Sequence, residues 1–170
     1  MAFKIKIVSD TFQPLFNRKA ADAVMKEIAV MIDKDSKKNI RNQVTPDGVG
    51  FQSLSEQTIK NKRRKGSANP SRALIDKGLM LRSIRVKKMA LGKYQIGVAE
   101  RGKPSRGFLS DVHNEGGGNT PARPFLGISA RRLEWIDARM ERWLKSQLIK
   151  GKKRGKKIIK NITSFGGGLF

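Results

Sequence analysis

The chain has 170 residues, 37 of them lysine or arginine and 14 aspartate or glutamate, for a formal net charge of +23. That length fits one compact domain burying about 68–70% of the surface its unfolded form exposes. That charge points to polyanions or acidic protein surfaces, not to the profile of an ordinary cytoplasmic enzyme. With no cysteine and a single histidine, the composition excludes disulfides, thiolate chemistry and sulfur-ligated zinc, and leaves little for other metal geometries.

Phe3, Ile5 and Ile7 alternate with Lys4 and Lys6, the period of a short strand with one wet face. The same alternation breaks up what would be the apolar core of a secretory signal, and nowhere do about 18 consecutive apolar residues occur. The expectation is a soluble chain made in the cytoplasm, with no membrane partner. After Pro14, Ala20, Val24, Ile28, Met31 and Ile32 fall at three- and four-residue steps without proline or glycine, which predicts a long helix with Asn17 as its cap. "VTPDGVGF" is turn chemistry. Ser53 or Ser55 then caps a short helix whose last turn carries Lys60, Lys62, Arg63, Arg64 and Lys65, cations that suit the helix dipole.

"SANPS" reads as a surface loop, and Gly78 splits "RALIDKGLMLRSI" into a turn and a new start. Ile84 and Val86, then Tyr94, Ile96 and Val98, alternate with polar residues or glycine across "ALGK", which predicts a β-hairpin. "FLSDVHNEGG" is assigned one more short strand. From Ser129, a good cap, Leu133, Ile136, Met140, Trp143, Leu144 and Leu148 share one face of a helix. Beyond it Lys150, Lys152, Lys153, Arg154, Lys156, Lys157 and Lys160 repel one another, as a mobile tail would. The expected architecture is therefore α+β: a small antiparallel sheet of amino-terminal strand, hairpin and one further short strand, flanked by a long amino-terminal helix and a carboxy-terminal helix. The domain spans 1–149 and the basic tail 150–170.

The most informative stretch is "HNEGGGNTPARPFLGIS", from His113 to Ser129. Thr120 before Pro121 and Arg123 before Pro124 are both biased toward extended geometry, whereas Gly116, Gly117 and Gly118 leave the start of the loop loose. Two readings stand side by side. In one, the stiff end presents Arg123, Phe125 and Leu126 to a neighbouring subunit at low ordering cost; in the other, Phe125 and Leu126 plug the following helix onto its own sheet.

Catalytic and cofactor chemistry finds little support. A nucleophilic triad, and with it a hydrolase, would rest on His113 alone. On a strand, Asp111, His113 and Glu115 would share a face and could hold a metal, though such a cluster is more often a hydrogen-bonded turn. "GGGN" lacks the lysine and hydroxyl of a phosphate-binding loop, no other cofactor is implied, and Trp135 and Trp143 are spaced as a packing face. The basic clusters at Lys60–Lys65 and Lys150–Lys160 can neutralise phosphates, so a small basic protein binding DNA or RNA without sequence preference is the competing function.

The ordered series "DGVGFQSLSEQTIK", "RALIDKGLMLRSI", a hairpin, "HNEGG" and "TPARPFLGIS" before an amphipathic helix resembles the tailed-phage virion morphogenesis family of tail completion or neck proteins. The resemblance covers roughly Met1 to Lys150. Gly48, Phe51, Leu54, Ser55 and Thr58 match its first motif, and Leu74, Asp76, Gly78, Leu79 and Ile84 its second. Ala122, Arg123, Pro124, Phe125 and Leu126 match the third. The lysine-rich segment after Lys150 has no counterpart. The resemblance implies a non-enzymatic component of a bacteriophage or prophage virion, acting at the head–tail joint as an oligomeric ring, a hexamer being the expected form. Its implied partners are other copies of itself, neighbouring connector or tail tube proteins and, without sequence preference, phage DNA. In that picture Gly116, Gly117, Gly118, Pro121, Arg123, Pro124, Phe125 and Leu126 form the subunit-contact loop, and each contact in the ring buries at least about 1,000 Å².

Overall fold

The computed structural model describes the backbone of residues 4–7, 18–98 and 105–165, and the side chains of residues 18–98 and 110–150. Helix α1 (Arg18–Asn42) is the spine of the body. Its buried positions Val24, Ile28, Ile32, Ser36 and Ile40 recur every four residues, with Met25 and Ala29 beside them. A four-residue repeat drifts by about 40° per step around a helix of 3.6 residues per turn, so Ala20 and Met31 fall on the flank and are only partly buried. Ser36 is tolerated in this stripe because its hydroxyl donates to the Ile32 carbonyl at 2.8 Å, leaving no polar group unpaired.

Strands β1 (Lys4–Ile7), β2 (Ile84–Ala90) and β3 (Lys93–Val98) form an antiparallel sheet in the order β1-β3-β2. Tyr94, Ile96 and Val98 on the central strand and Ile84 on its neighbour are buried, and they pack with α1 in one core. The hairpin turn is tied to α1 by Asp22. Its carboxylate accepts from the Gly92 amide at 2.8 Å, the Tyr94 hydroxyl at 3.0 Å and the Lys88 ammonium at 2.5 Å. The Gly92 amide first, then Lys88, holds the Asp22 carboxyl below the usual carboxylate range.

The architecture expected from the sequence is corrected here. Five helices are present among the described residues: α2 (Glu56–Arg64), α3 (Leu79–Ser83) and α4 (Ser105–Glu115) join α1 and α5 (Ala130–Phe165). The segment assigned to a further strand is α4. It closes with a helical bond from the Gly116 amide to the Val112 carbonyl at 2.9 Å. Its apolar residues Phe108, Leu109 and Val112 fall at steps of one, three and four, which suit a helix and not the two-residue alternation of a strand. The last helix also exceeds the expected length, for its backbone continues through Phe165; no proline interrupts it.

α5 runs antiparallel to α1. Arg132 pairs with Asp35 at 2.6 Å, and Arg139 grips both carboxylate oxygens of Glu27, the shortest contact being 2.6 Å. Bidentate geometry of this kind fixes register more than it adds stability at a partly exposed site. Trp143 completes the core at 5% exposure.

Candidate functional site

The segment from His113 to Ser129 is assembled by its glycines, prolines and one asparagine. Gly116 ends α4 at φ +84, and a Cβ there would lie 3.1 Å from the Ala122 amide nitrogen, so both conformation and space exclude a side chain. Gly117 and Thr120 then exchange amide-to-carbonyl bonds at 3.0 and 2.9 Å, closing a tight turn. The chain returns beside α4, where the Arg123 amide donates to the His113 carbonyl at 2.7 Å. Asn114, 6% exposed, accepts through Oδ1 from the amides of both Phe125 and Leu126 at 3.1 Å. From α1, the Asn39 side-chain amide reaches the Phe125 carbonyl at 3.3 Å. Pro121 and Pro124 bring no amide donor to this buried path, which lowers the number of groups needing partners.

This frame delivers Phe125 and Leu126, at 1% and 3% exposure, into the chain's own core. Arg123 is internal as well, at 4% exposure. Its guanidinium donates from Nε to the Gln52 carbonyl at 2.8 Å and from Nη2 to the Ser53 carbonyl at 3.2 Å, and burial lowers its pKa. Of the residues assigned to subunit contact, then, Arg123, Phe125 and Leu126 serve the fold. Gly116, Pro121 and Pro124 are partly buried, and the surface of the loop is Gly117, Gly118, Asn119 and Ala122. At its end Ser129 caps α5, accepting from the Arg132 amide at 3.3 Å. Gly127 lets the loop pass the Pro46 turn, where a Cβ would stand 2.8 Å from the proline ring.

His113 sits near the end of α4 with its Nδ1 buried and, among the described residues, without a hydrogen-bond partner. Burial first, and the nearby Arg123 charge second, lower its pKa. The reading in which Asp111, His113 and Glu115 share a strand face is corrected with the strand itself: on a helix they point about 100° apart per residue. Among the described residues no group of three His, Asp or Glu side chains is placed to hold a metal ion.

The first basic cluster divides. Lys60, Arg63, Arg64 and Lys65 are exposed along α2, whereas Lys62 turns inward and donates to the carbonyls of Arg72 and Ile75, each at 2.7 Å. Desolvation lowers its pKa against the opposing pull of Asp76. In the second cluster Lys150 is exposed on α5. The side chains of Lys152, Lys153, Arg154, Lys156, Lys157 and Lys160 lie outside the described residues.

Three polar residues were missed by sequence reasoning: Asp22, Asn114 and Gln43. Gln43, itself at φ +59, clamps Ala73 as a strand would. Its Oε1 accepts from the Ala73 amide at 2.6 Å and its Nε2 donates to the Ala73 carbonyl at 3.0 Å. Nothing in local pattern marks these residues, since their partners lie far away in the chain; only the position of Asn114 inside the glycine–proline stretch gave a hint.

The described residues thus define a small, strongly basic assembly of helices on an antiparallel sheet, stapled by an internal loop. Over residues 3–145 the chain matches the model of the phage virion morphogenesis family. It belongs to that family. No curated protein and no solved structure matches it. No described helix is long and apolar enough to cross a membrane.

Proposed function

We propose that this chain is a non-enzymatic structural protein acting in tail completion at the head–tail joint, as a closed ring of identical copies. The observation that carries this reading is the far half of α5. The pairs Arg132–Asp35 and Arg139–Glu27 set the antiparallel register, which brings position 148 level with Arg18, the first residue of α1. The helix therefore runs on for about 25 Å at 1.5 Å per residue. Where it leaves α1, Leu148 and Ile149 stand 59% and 57% exposed, and Leu133 near its start is 49% exposed. Large apolar side chains set along one rod suit a neighbouring copy, and a head-to-tail contact that closes gives a ring. The Gly117–Asn119 turn is the part of the loop still available to such a neighbour.

A second reading is favoured by charge. No acidic residue follows Glu141, whereas Arg142, Lys145, Lys150, Lys152, Lys153, Arg154, Lys156, Lys157 and Lys160 do. That segment suits contact with phage DNA passing through a ring, with each neutralised phosphate steepening the salt dependence by roughly 0.9 log units per log unit of salt.

The test is the mass of the purified chain at high concentration, with negative-stain imaging. The expected result is a closed ring that the double variant Leu148→Glu, Ile149→Glu reduces to monomers of unchanged melting temperature. A wild-type chain that stays monomeric throughout overturns the reading.

A further inference from the structure

Charge is one-sided on α2 and the turn after it. From Gln57 to Ile75 the chain carries Lys60, Lys62, Arg63, Arg64, Lys65 and Arg72 and no acidic residue. Two of these cations are committed to the fold. The Lys62 ammonium bridges the Arg72 and Ile75 carbonyls, on either side of Leu74 at φ +59, a left-handed backbone kept in place by the Gln43 clamp on Ala73. The Arg72 guanidinium donates to the Arg41 carbonyl. The other four are exposed. Lys60, Arg63 and Arg64 stand at i, i+3 and i+4, which places them on one face of the helix, and Lys62, about 200° around from Lys60, on the other. Pinning Lys62 inward therefore turns the remaining cations out, and Lys65 follows them at the carboxy-terminal cap.

No carboxylate of the body answers this face. Asp22, Glu27, Asp33, Asp35 and Glu141 are matched to Lys88, Arg139, Lys37, Arg132 and Lys145. Among the described residues Lys60, Arg63, Arg64 and Lys65 make no ion pair, not even with Glu56 one turn before Lys60. The helix dipole accounts for cations in a last turn, but Lys60 lies ahead of that turn. Nor does α2 serve the core: it buries no residue and contributes none to the apolar cluster. It is a helix held by polar bonds at one side with like charges gathered on the other.

The chemistry of the face selects its partner. A stable protein interface has an apolar anchor at its centre, and a helix lying on a membrane needs an apolar side. Gln57, Lys60, Arg63 and Arg64 supply neither. Phosphodiesters ask for charge and donors alone, and the forks of two adjacent guanidiniums take phosphate oxygens in pairs. We infer that the outward face of α2 binds the phosphate backbone of duplex DNA without reading its sequence. This inference shares its ligand with the charge-based reading of the α5 end, but it rests on different residues and does not require the ring.

The test is binding of the full chain to labelled random duplex DNA over about 50–200 mM salt, with three triple variants beside the wild type. Lys60→Gln, Arg63→Gln, Arg64→Gln clears the α2 face. Lys26→Gln, Lys34→Gln, Lys38→Gln removes the same charge from exposed positions of α1. Lys150→Gln, Lys152→Gln, Lys153→Gln does so in α5. The α2 variant, altered at exposed positions, keeps the wild-type melting temperature. Its log–log salt slope should be shallower than wild type by about 2–3, near one for each lost phosphate contact, while the α1 variant shifts by less than about 1. Equal shifts for α1 and α2 would make the binding a matter of net charge and overturn the inference. So would displacement of the DNA by poly-glutamate at equal charge concentration, which would assign the face to an acidic protein. A wild-type slope in the α2 variant with a shallower one in the α5 variant removes this contact and leaves the α5 reading; the reverse pattern does the opposite.

Discussion

The body of this protein and the shelf beside it are neighbours held together by different physics. In the body, α1, the sheet, Phe125, Leu126 and Trp143 bury a continuous apolar cluster. In the shelf, formed by α2, the connection after it and α3, neither helix has a buried residue. The shelf sets Leu74, Ile75 and Met80, only partly buried, against that cluster and is positioned by directional polar bonds, Gln43 to Ala73 and Lys62 to two carbonyls, while Arg123 holds the Gln52 and Ser53 carbonyls just before α2. Area burial is additive and tolerates small displacements, whereas a carbonyl clamp is lost outright when one partner goes.

The largest effect that separates the two regions belongs to Phe125→Ala. Removing a ring that is 1% exposed should cost about 3–5 kcal/mol in urea unfolding; a loss below about 1 kcal/mol would mean that the loop is not part of the core. Next comes Asn114→Ala, which strips the acceptor from two buried amides. At about 1–3 kcal/mol for each unsatisfied group, the expected loss is about 2–6 kcal/mol, and a neutral result would show that water replaces the asparagine. Gln43→Ala sharpens the contrast from the other side. It should cost only about 1–2 kcal/mol, yet make residues 66–78 the first site of limited proteolysis while the sheet stays protected. Cleavage elsewhere would count against the clamp.

A smaller effect depends on pH. The Asp22 carboxyl is held low by the Gly92 amide and Lys88, so its folded form binds a proton less readily than the unfolded chain. Its stabilisation is present above the ordinary carboxylate pKa of about 3.9 and is lost as pH falls through the lower folded value. Wild-type stability should therefore fall more steeply than that of Asp22→Asn over this acidic range; parallel curves would contradict the assignment. The smallest effect is expected from deleting residues 150–170. The core side chains of α5 end at Trp143 and Leu144, so the melting temperature should move by no more than about 2–4 °C.

What the sequence disclosed follows the same division. The hairpin was legible because Ile84, Tyr94, Ile96 and Val98 are buried by alternation, and α1 because its apolar stripe repeats over many turns. Ser129 announced the start of α5 by its capping chemistry. The helix α4 was not legible, since it has too few apolar positions to define a period and its neighbouring glycines suggest a loop. Nor was the shelf. Leu74 carries no glycine or asparagine signature for its left-handed backbone, and the inward turn of Lys62 within a run of outward cations is decided by two carbonyls ten and thirteen residues away. Arg123, Phe125 and Leu126 were recognised as unusual, but their destination was open. Rigidity framed by prolines serves an internal plug as well as a displayed one, and only the Asn114 acceptor and the Gln52 and Ser53 carbonyls decide between them.

Amide hydrogen exchange on the full chain tests this division most directly. The Phe125 and Leu126 amides, bonded to a buried asparagine, should exchange only with global unfolding, as the Ile96 amide does, while α2 exchanges through local opening at a much lower free energy. If the Phe125 and Leu126 amides exchange as fast as those of α2, the loop is not a fastener of the core, and the distinction between body and shelf fails.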